Sequence, residues 1–565
     1  MRPLRTLLAL TLIASAAAAR AADFDLVLRG GTVYDGSGAP PRVADVAVAG
    51  DRIVAVGDLA WAKGERELDV AGLAVAPGFV NMLSWAVESL IVDPRSLSDI
   101  RQGVTLEVFG EGWSMGPLNA AMKEEAQKQQ TDFEYEIGWS TLGEYLDWLE
   151  RRGVAPNVAS FVGATTVRIH ELGYANRAPT AEELERMRAL VRRAMEEGAL
   201  GVGSSLIYAP AFYAETGELI ELMKAAAPYG GMYISHMRSE GNRLLEAIDE
   251  LVTIARESGA PAEIYHLKVA GRENWPKLDA VIEKVEKART EGLAITADMY
   301  TYPAGATGLD AAMPPWVQEG GLEKWRERLQ DPVTRARVLA EMTAPTDAWE
   351  NLFLAAGPEG VTFLYFKKPE LRRYVGKTLA EVAALRGTSP ADTAIDLVVA
   401  DESRVEVAYF LMDEANIERQ VALPWMSFGS DADSQAPEGI FLTGMPHPRA
   451  YGNFARVVGH YARDRGLMAL AEAIRRLTAL PCENLKINDR GRVVPGMFAD
   501  LAIFDAAKIR DHATFEKPQQ FATGMVHVFV NGAQVLRNGE HTGATPGRVV
   551  RGPGWTGWGA DRVAP

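Results

Sequence analysis

Four side chains stand where short apolar runs end. His236 closes Met232-Tyr233-Ile234-Ser235, and His266 closes Ala262-Glu263-Ile264-Tyr265. Asp431 follows Ser427-Phe428-Gly429-Ser430, and Glu111 follows Thr105–Gly110. The two histidines are 30 residues apart, the length of one strand–helix unit, which places them on neighbouring strands of a parallel sheet. Two imidazoles and a carboxylate form a recognised zinc ligand set with one position left open. A further carboxylate beside them serves as general base toward the bound water. A single strand-end histidine is usually a hydrogen-bonded structural residue; four such groups at four strand ends point to a site. The remaining histidines rank lower. His170 falls on a rim, His460 in a helix, and His512, His527 and His541 in the terminal β segments.

The elements that carry these groups alternate. Val104–Phe109, Val158–Val162, Leu200–Ser204, Met232–Ser235, Ala262–Tyr265, Leu293–Ala297 and Met426–Gly429 are short apolar runs. Between several of them lie helical patterns: Ala181–Glu197, opened by Thr180 with Glu183 set for a capping box, Arg243–Ser258 and Leu278–Glu291. Alternation at roughly 30-residue spacing reads as βα units around a parallel sheet. The units suffice for a (β/α)8 barrel, in which functional side chains project from the C-terminal strand ends. Val405–Leu411 is one strand too many. A doubly wound sheet is the alternative, without a glycine-rich phosphate turn to support it. Glu319–Thr343 is polar and helical and reads as an insertion near 315–345 on the barrel rim.

The ends differ in style. Phe24–Leu28, Val43–Val48, Arg52–Val56 and Glu67–Val70 are strand-like and punctuated by glycine turns; Leu501–Phe504, Met525–Val530 and Gln534–Arg537 repeat the pattern with Asn531-Gly532 as a hairpin turn. Neither piece alone makes a stable sandwich. Residues 23–76 and 490–553 are therefore expected to form one small β-sandwich domain, with the barrel over 77–489 between them. Ahead of them, Met1–Arg5 carries two arginines, Leu7–Ala19 is apolar, and Ala19-Arg20-Ala21 is a small-x-small cleavage pattern. That order is an export signal over residues 1–22, cleaved near Ala21/Ala22, and predicts a periplasmic or secreted protein with no membrane attachment after cleavage.

Composition bounds the chemistry. The 565 residues hold 59 basic and 75 acidic side chains, a net charge of −16, eight histidines and one cysteine. The acidic balance argues against nucleic-acid binding. One cysteine excludes a disulfide framework and a zinc site built on several thiolates, and Cys482 reads as a packing residue.

Several segments then resemble a known family. Asp25–Gly36, Ala76-Pro77-Gly78-Phe79 and Pro495-Gly496-Met497-Phe498-Ala499-Asp500 look like the frame of the amidohydrolase superfamily. Asn157-Val158-Ala159-Ser160-Phe161-Val162-Gly163, Leu206-Ile207-Tyr208, His266-Leu267-Lys268, Gly429-Ser430-Asp431 and His447-Pro448-Arg449 resemble the N-acyl-D-amino-acid deacylases (D-aminoacylases) within it. The likeness covers about residues 24–550. It implies a distorted (β/α)8 barrel plus a β-sandwich from both chain ends. It also implies zinc at the barrel mouth and hydrolysis of an amide beside a D-configured carboxylate. His236 and His266 match the family's metal histidines on strands five and six, and Asp431 the strand-eight aspartate that activates water. Lys268 and Arg449 match positions holding the substrate carboxylate, a task suited to charge-assisted contacts. Tyr302 is a further expected lining residue of that pocket.

Two departures stand out. The superfamily's His-x-His pair after strand one aligns with Leu83 and Trp85, neither a ligand. The family's metal-binding cysteine is absent from Gly110-Glu111-Gly112-Trp113-Ser114, where Glu111 is offered instead; an oxygen ligand suits zinc and admits other divalent metals. The expectation is therefore one zinc per chain held by Glu111, His236 and His266, with Asp431 as catalytic base and an N-acyl-D-amino acid or a peptide with a D-residue as substrate. A decayed amidohydrolase acting as a periplasmic binding protein is the alternative from another class. A cyclic-amide hydrolase is a third, disfavoured because Gly201-Val202-Gly203-Ser204-Ser205 offers no strand-four lysine. The sequence sets no oligomeric state.

Overall fold

The computed structural model describes residues 22–558, so the export-signal pattern in residues 1–21 lies outside the described residues. Eight parallel strands close a barrel: Phe79–Asn81, Val104–Phe109, Asn157–Ser160 continued by Val162–Gly163, Gly201–Ser205, Met232–His236, Ala262–Ile264, Ile295–Met299 and Met426–Phe428. Nearly every residue in them is buried, as expected of strands enclosed on both faces. The barrel is distorted at strand three, where Phe161 interrupts the ladder and donates its N–H to Phe109 O (2.8 Å) while Leu200 donates to Ser160 O (2.9 Å). It closes through Met82 N–H to Phe428 O (3.2 Å).

The helices that wrap it start where their caps dictate. Thr180 and Glu183 form a reciprocal capping box at the head of Ala181–Glu196, and Thr141 with Glu144 does the same for Leu142–Arg152. Each turns its apolar stripe inward, with Met187, Val191, Ala194 and Met195 buried on the first. Strand seven runs two residues further than its apolar run, to Met299, because Ala297, Asp298 and Met299 pair with Met426, Ser427 and Phe428.

The extra strand read at Val405–Leu411 is not part of the barrel. Glu406–Phe410 pairs antiparallel with Ala304–Gly308 and Val361–Tyr365 in a separate three-stranded sheet. The excursion between strands seven and eight lines the barrel mouth through Thr307, Leu352, Leu364, Arg404 and Tyr409. It includes the helices Gly321–Gln330 and Pro332–Met342, so it is wider than the helical stretch expected near 315–345.

Both chain ends enter one nine-stranded sheet, in which Leu501–Phe504 pairs antiparallel with Ala74–Pro77, and Phe24–Val33 pairs with Arg42–Ala49, Gly64–Asp69 and Ala74–Pro77. Its hydrogen bonds run continuously, and its core mixes Leu26, Val46 and Ile53 with Leu501, Ile503 and Phe529. After His541 the chain leaves the sheet and returns beneath the barrel, where Val550 donates to Val158 O and Gly552 to Gly198 O (both 2.8 Å). Cys482 is buried, and burial pushes its thiol up to about 12. No helix among the described residues is long and apolar enough to cross a membrane.

Candidate active site

The C-terminal strand ends open into a cavity of about 550 Å³. Glu111 reaches it from a turn after strand two that only glycine permits on either side. Gly110 and Gly112 have φ of +108° and +68°, and a Cβ on them would collide with Phe161 O and with Ser205 Oγ. His236 is the last residue of strand five. His266 and Asp431 lie just past strands six and eight in the left-handed region, with φ of +32° and +50°. Non-glycine residues hold such backbone only when their surroundings impose it. Here His266 N–H donates to Asp298 Oδ1 (3.0 Å) and Asp431 N–H to Leu83 O (2.8 Å).

Three donor atoms converge. Glu111 Oε1 lies 3.1 Å from His236 Nδ1 and 2.9 Å from His266 Nε2, and the two ring nitrogens are 3.1 Å apart. All three residues are buried, and their ligand atoms form a group able to hold a metal ion. The chemistry of the set, two imidazole nitrogens and one carboxylate oxygen, is that of zinc with an open position. Burial opposes ionisation of Glu111, yet the facing His266 and His236 rings hold its carboxyl well below the usual carboxylate range. Burial and Lys268 act against protonation of His266, but Glu111, Glu240 and Asp431 outweigh them and push the imidazole up to about 10. A metal ligand must be deprotonated, so a proton on His266 competes with a cation here, and below about pH 10 it competes more strongly as pH falls. Apparent zinc affinity is expected to rise about tenfold per pH unit from pH 6 to 9, read by competition with a chromophoric chelator; a flat response rejects the competition.

Asp431 stands beside the triangle. Burial raises its carboxyl above the usual range, against the pull of Arg449. Its Oδ2 pairs with Arg449 Nη1 (2.7 Å) and its Oδ1 accepts from Trp85 Nε1 (3.0 Å). Lys268 Nζ donates to Glu240 Oε1 (2.7 Å) and lies 2.6 Å from His266 Nδ1. Arg449 and Lys268 both lie over the Tyr300 ring, at 4.4 and 5.6 Å. Arg449 Nε and Tyr300 Oη are buried without a hydrogen-bond partner. Orphaned donors of this kind are rare in proteins, and together with Lys268 they suit a carboxylate.

Six of the seven expected residues line this cavity; Tyr302 does not. Tyr302 packs its ring edge-on against His447 and Phe515, under Arg456, and Tyr300 takes the pocket position instead. The chain leaves the extended conformation after Tyr300, where Asn453 Oδ1 accepts from Thr301 N and Oγ1 (both 2.9 Å), so the two tyrosines diverge. Sequence reasoning also missed Glu240, whose carboxylate reaches His266 Nδ1 (3.1 Å), His236 Nε2 (3.6 Å) and Lys268. Only its position four residues after His236 hinted at it. Glu350, from the excursion over the mouth, braces that turn by accepting the Glu240 N–H (2.5 Å). His447 Nε2 donates to Ala304 O (2.9 Å) while its Nδ1 accepts the Arg449 N–H (3.0 Å), which positions Arg449.

The amidohydrolase family model matches residues 66–536, and the chain belongs to that family. It is 37% identical over 528 residues to a D-aminoacylase of Alcaligenes xylosoxydans xylosoxydans, covering 93% of this chain and 97% of the relative. Among solved structures it is similar to a D-aminoacylase with a binuclear metal centre, described by one-metal activation and second-metal attenuation, at TM-score 0.77 and 33% identity over 94% of this chain and 100% of that one. An N-acyl-D-glutamate deacylase from Bordetella bronchiseptica, in complex with zinc and a phosphonate mimic of the tetrahedral intermediate, matches at TM-score 0.77 and 28% identity over 94% and 99%.

Proposed function

We propose that the chain hydrolyses the amide bond of N-acyl-D-amino acids, releasing a carboxylate and a free D-amino acid, with one zinc ion held by Glu111, His236 and His266. The observation that carries this reading is the convergence of those three ligands with Asp431 and an unsatisfied cationic pocket in one cavity. The D-aminoacylase and D-glutamate deacylase relatives support it. When bound, the metal supplies Lewis-acid activation of the scissile carbonyl and of the attacking water.

The chain's own groups do the rest. Asp431 takes the proton of the attacking water and delivers it to the departing amine; its raised carboxyl suits both halves of that exchange. Lys268 donates one of its three N–H groups to Glu240 and has others to offer. With Arg449 Nε and Tyr300 Oη it fixes the substrate carboxylate and so sets which enantiomer turns its amide toward Asp431. Glu240 orients His266 through Nδ1 and keeps Lys268 protonated.

A cyclic-amide hydrolase using a strand-four lysine is not favoured, because strand four carries no lysine and at Gly203 a Cβ would run into Gly110 O. A binding protein on a decayed frame would have no need of Asp431 held beside an intact ligand set. Export to the periplasm is part of this reading; it rests on the signal pattern of residues 1–22 and is checked by the N-terminal sequence of the mature protein.

A panel of N-acyl-D- and N-acyl-L-amino acids, assayed with zinc, tests the function. The D-series is expected to be hydrolysed at kcat/KM at least about 100-fold above the L-series, since the wrong enantiomer strands buried polar groups. Glu111→Ala should be inactive in the same panel. Equal rates for both enantiomers, or no turnover with zinc present, reject the proposal.

A further inference from the structure

The indole of Trp85 occupies an unusual place. Its backbone is clamped between strands two and eight: Ser84 N–H donates to Val108 O (2.8 Å), Trp85 N–H to Ala432 O (3.1 Å), and Asp431 N–H to Leu83 O (2.8 Å). From that fixed position Trp85 Nε1 lies 3.2 Å from Glu111 Oε2 and 3.0 Å from Asp431 Oδ1. One N–H thus bridges carboxylates from two different strands. The other oxygens are already used: Glu111 Oε1 faces the imidazoles and Asp431 Oδ2 faces Arg449. Leu83, at the other position of the missing histidine pair, is fully buried and offers no ligand atom.

Two buried carboxylates facing one point repel unless something positive lies between them. A bridging cation is one solution; an indole N–H, which only donates, is another. We propose that Trp85 does in this chain what a second metal ion would do. Its N–H joins Glu111 to Asp431, holds Asp431 in its working orientation and leaves no ligands for a second ion. Trp85 is a positioning residue, acting through Asp431. This rests on the function proposed above and assigns the metal stoichiometry and the source of Asp431 orientation.

Three measurements on the zinc-loaded protein test it. Wild-type protein dialysed against excess zinc and analysed by mass spectrometry for metal should hold one ion per chain, with kcat unchanged by added zinc. Trp85→Phe keeps the ring and deletes the N–H. It should still hold one zinc and lose about tenfold or more in kcat, the range of a hydrogen bond to a charged group, with KM within about threefold. Leu83→His/Trp85→His, which restores the ligand pair, should take up a second zinc. A second zinc in wild type, wild-type kcat in Trp85→Phe, or a folded double variant that holds only one ion overturns the inference. Metal content is read without turnover, so failure of the proposed function, seen as an inactive wild type on every N-acyl-D-amino acid, is distinguishable from failure of this inference.

Discussion

His266→Ala is expected to lose zinc and turnover together. Among the described residues it contributes one of the three converging atoms proposed as ligands, and its outer nitrogen meets Lys268 and Glu240. Loss of an outer partner of a metal ligand costs roughly 10–100-fold in affinity, and loss of the ligand itself costs more. The variant should hold well under about a tenth of a zinc per chain after dialysis, a consequence of affinity reduced beyond that 10–100-fold range. Hydrolysis should be undetectable, while circular dichroism still reports a folded barrel. An active variant with full zinc content would remove His266 from the site. The alternative of a structural histidine predicts the opposite pattern: lowered melting temperature with zinc content unchanged.

Asp431→Asn separates chemistry from metal binding. The amide keeps the shape of the side chain but cannot take a proton from water, and removing a general base costs typically about 10²–10⁴-fold in rate. The ligand triangle does not include Asp431, so zinc content should remain at one per chain and KM should change little. The asparagine NH2 would also face either Trp85 Nε1 or Arg449 Nη1, donors that now meet carboxylate oxygens, so Asp431→Ala is the companion variant. Both should show the same collapse of kcat. A variant that loses zinc, or one that keeps within about tenfold of wild-type kcat, less than the loss of a general base, would reassign the base.

Much of the clustering at the barrel mouth is legible in the sequence. Parallel strands that alternate with helices must bring their C-terminal ends to one face, so His236, His266 and Asp431 could be placed together from the pattern of apolar runs alone. Glu111 needed the resemblance as well, because a carboxylate after a glycine is otherwise unremarkable in sequence. Periodicity could not separate Val405–Leu411 from a barrel strand. A short apolar run looks the same in a parallel barrel and in the antiparallel sheet where Glu406–Phe410 lies.

Tyr302 failed for a related reason. Two tyrosines of equal parity stand in Tyr300-Thr301-Tyr302, and only the bend held by Asn453 sends one into the cavity and the other behind it. Glu240 sits in an irregular turn, so helical spacing could not forecast its approach to His266 and Lys268. Trp85 is the clearest case. Its residue type announced a lost ligand; its bridge to Glu111 and Asp431 exists because strands one, two and eight meet at the mouth. Residue types and their order along the chain determined the fold and marked the side chains proposed as ligands and base. Convergence of distant strands, which no local pattern encodes, decided which donors meet which carboxylate oxygens and which groups remain unpaired for a substrate.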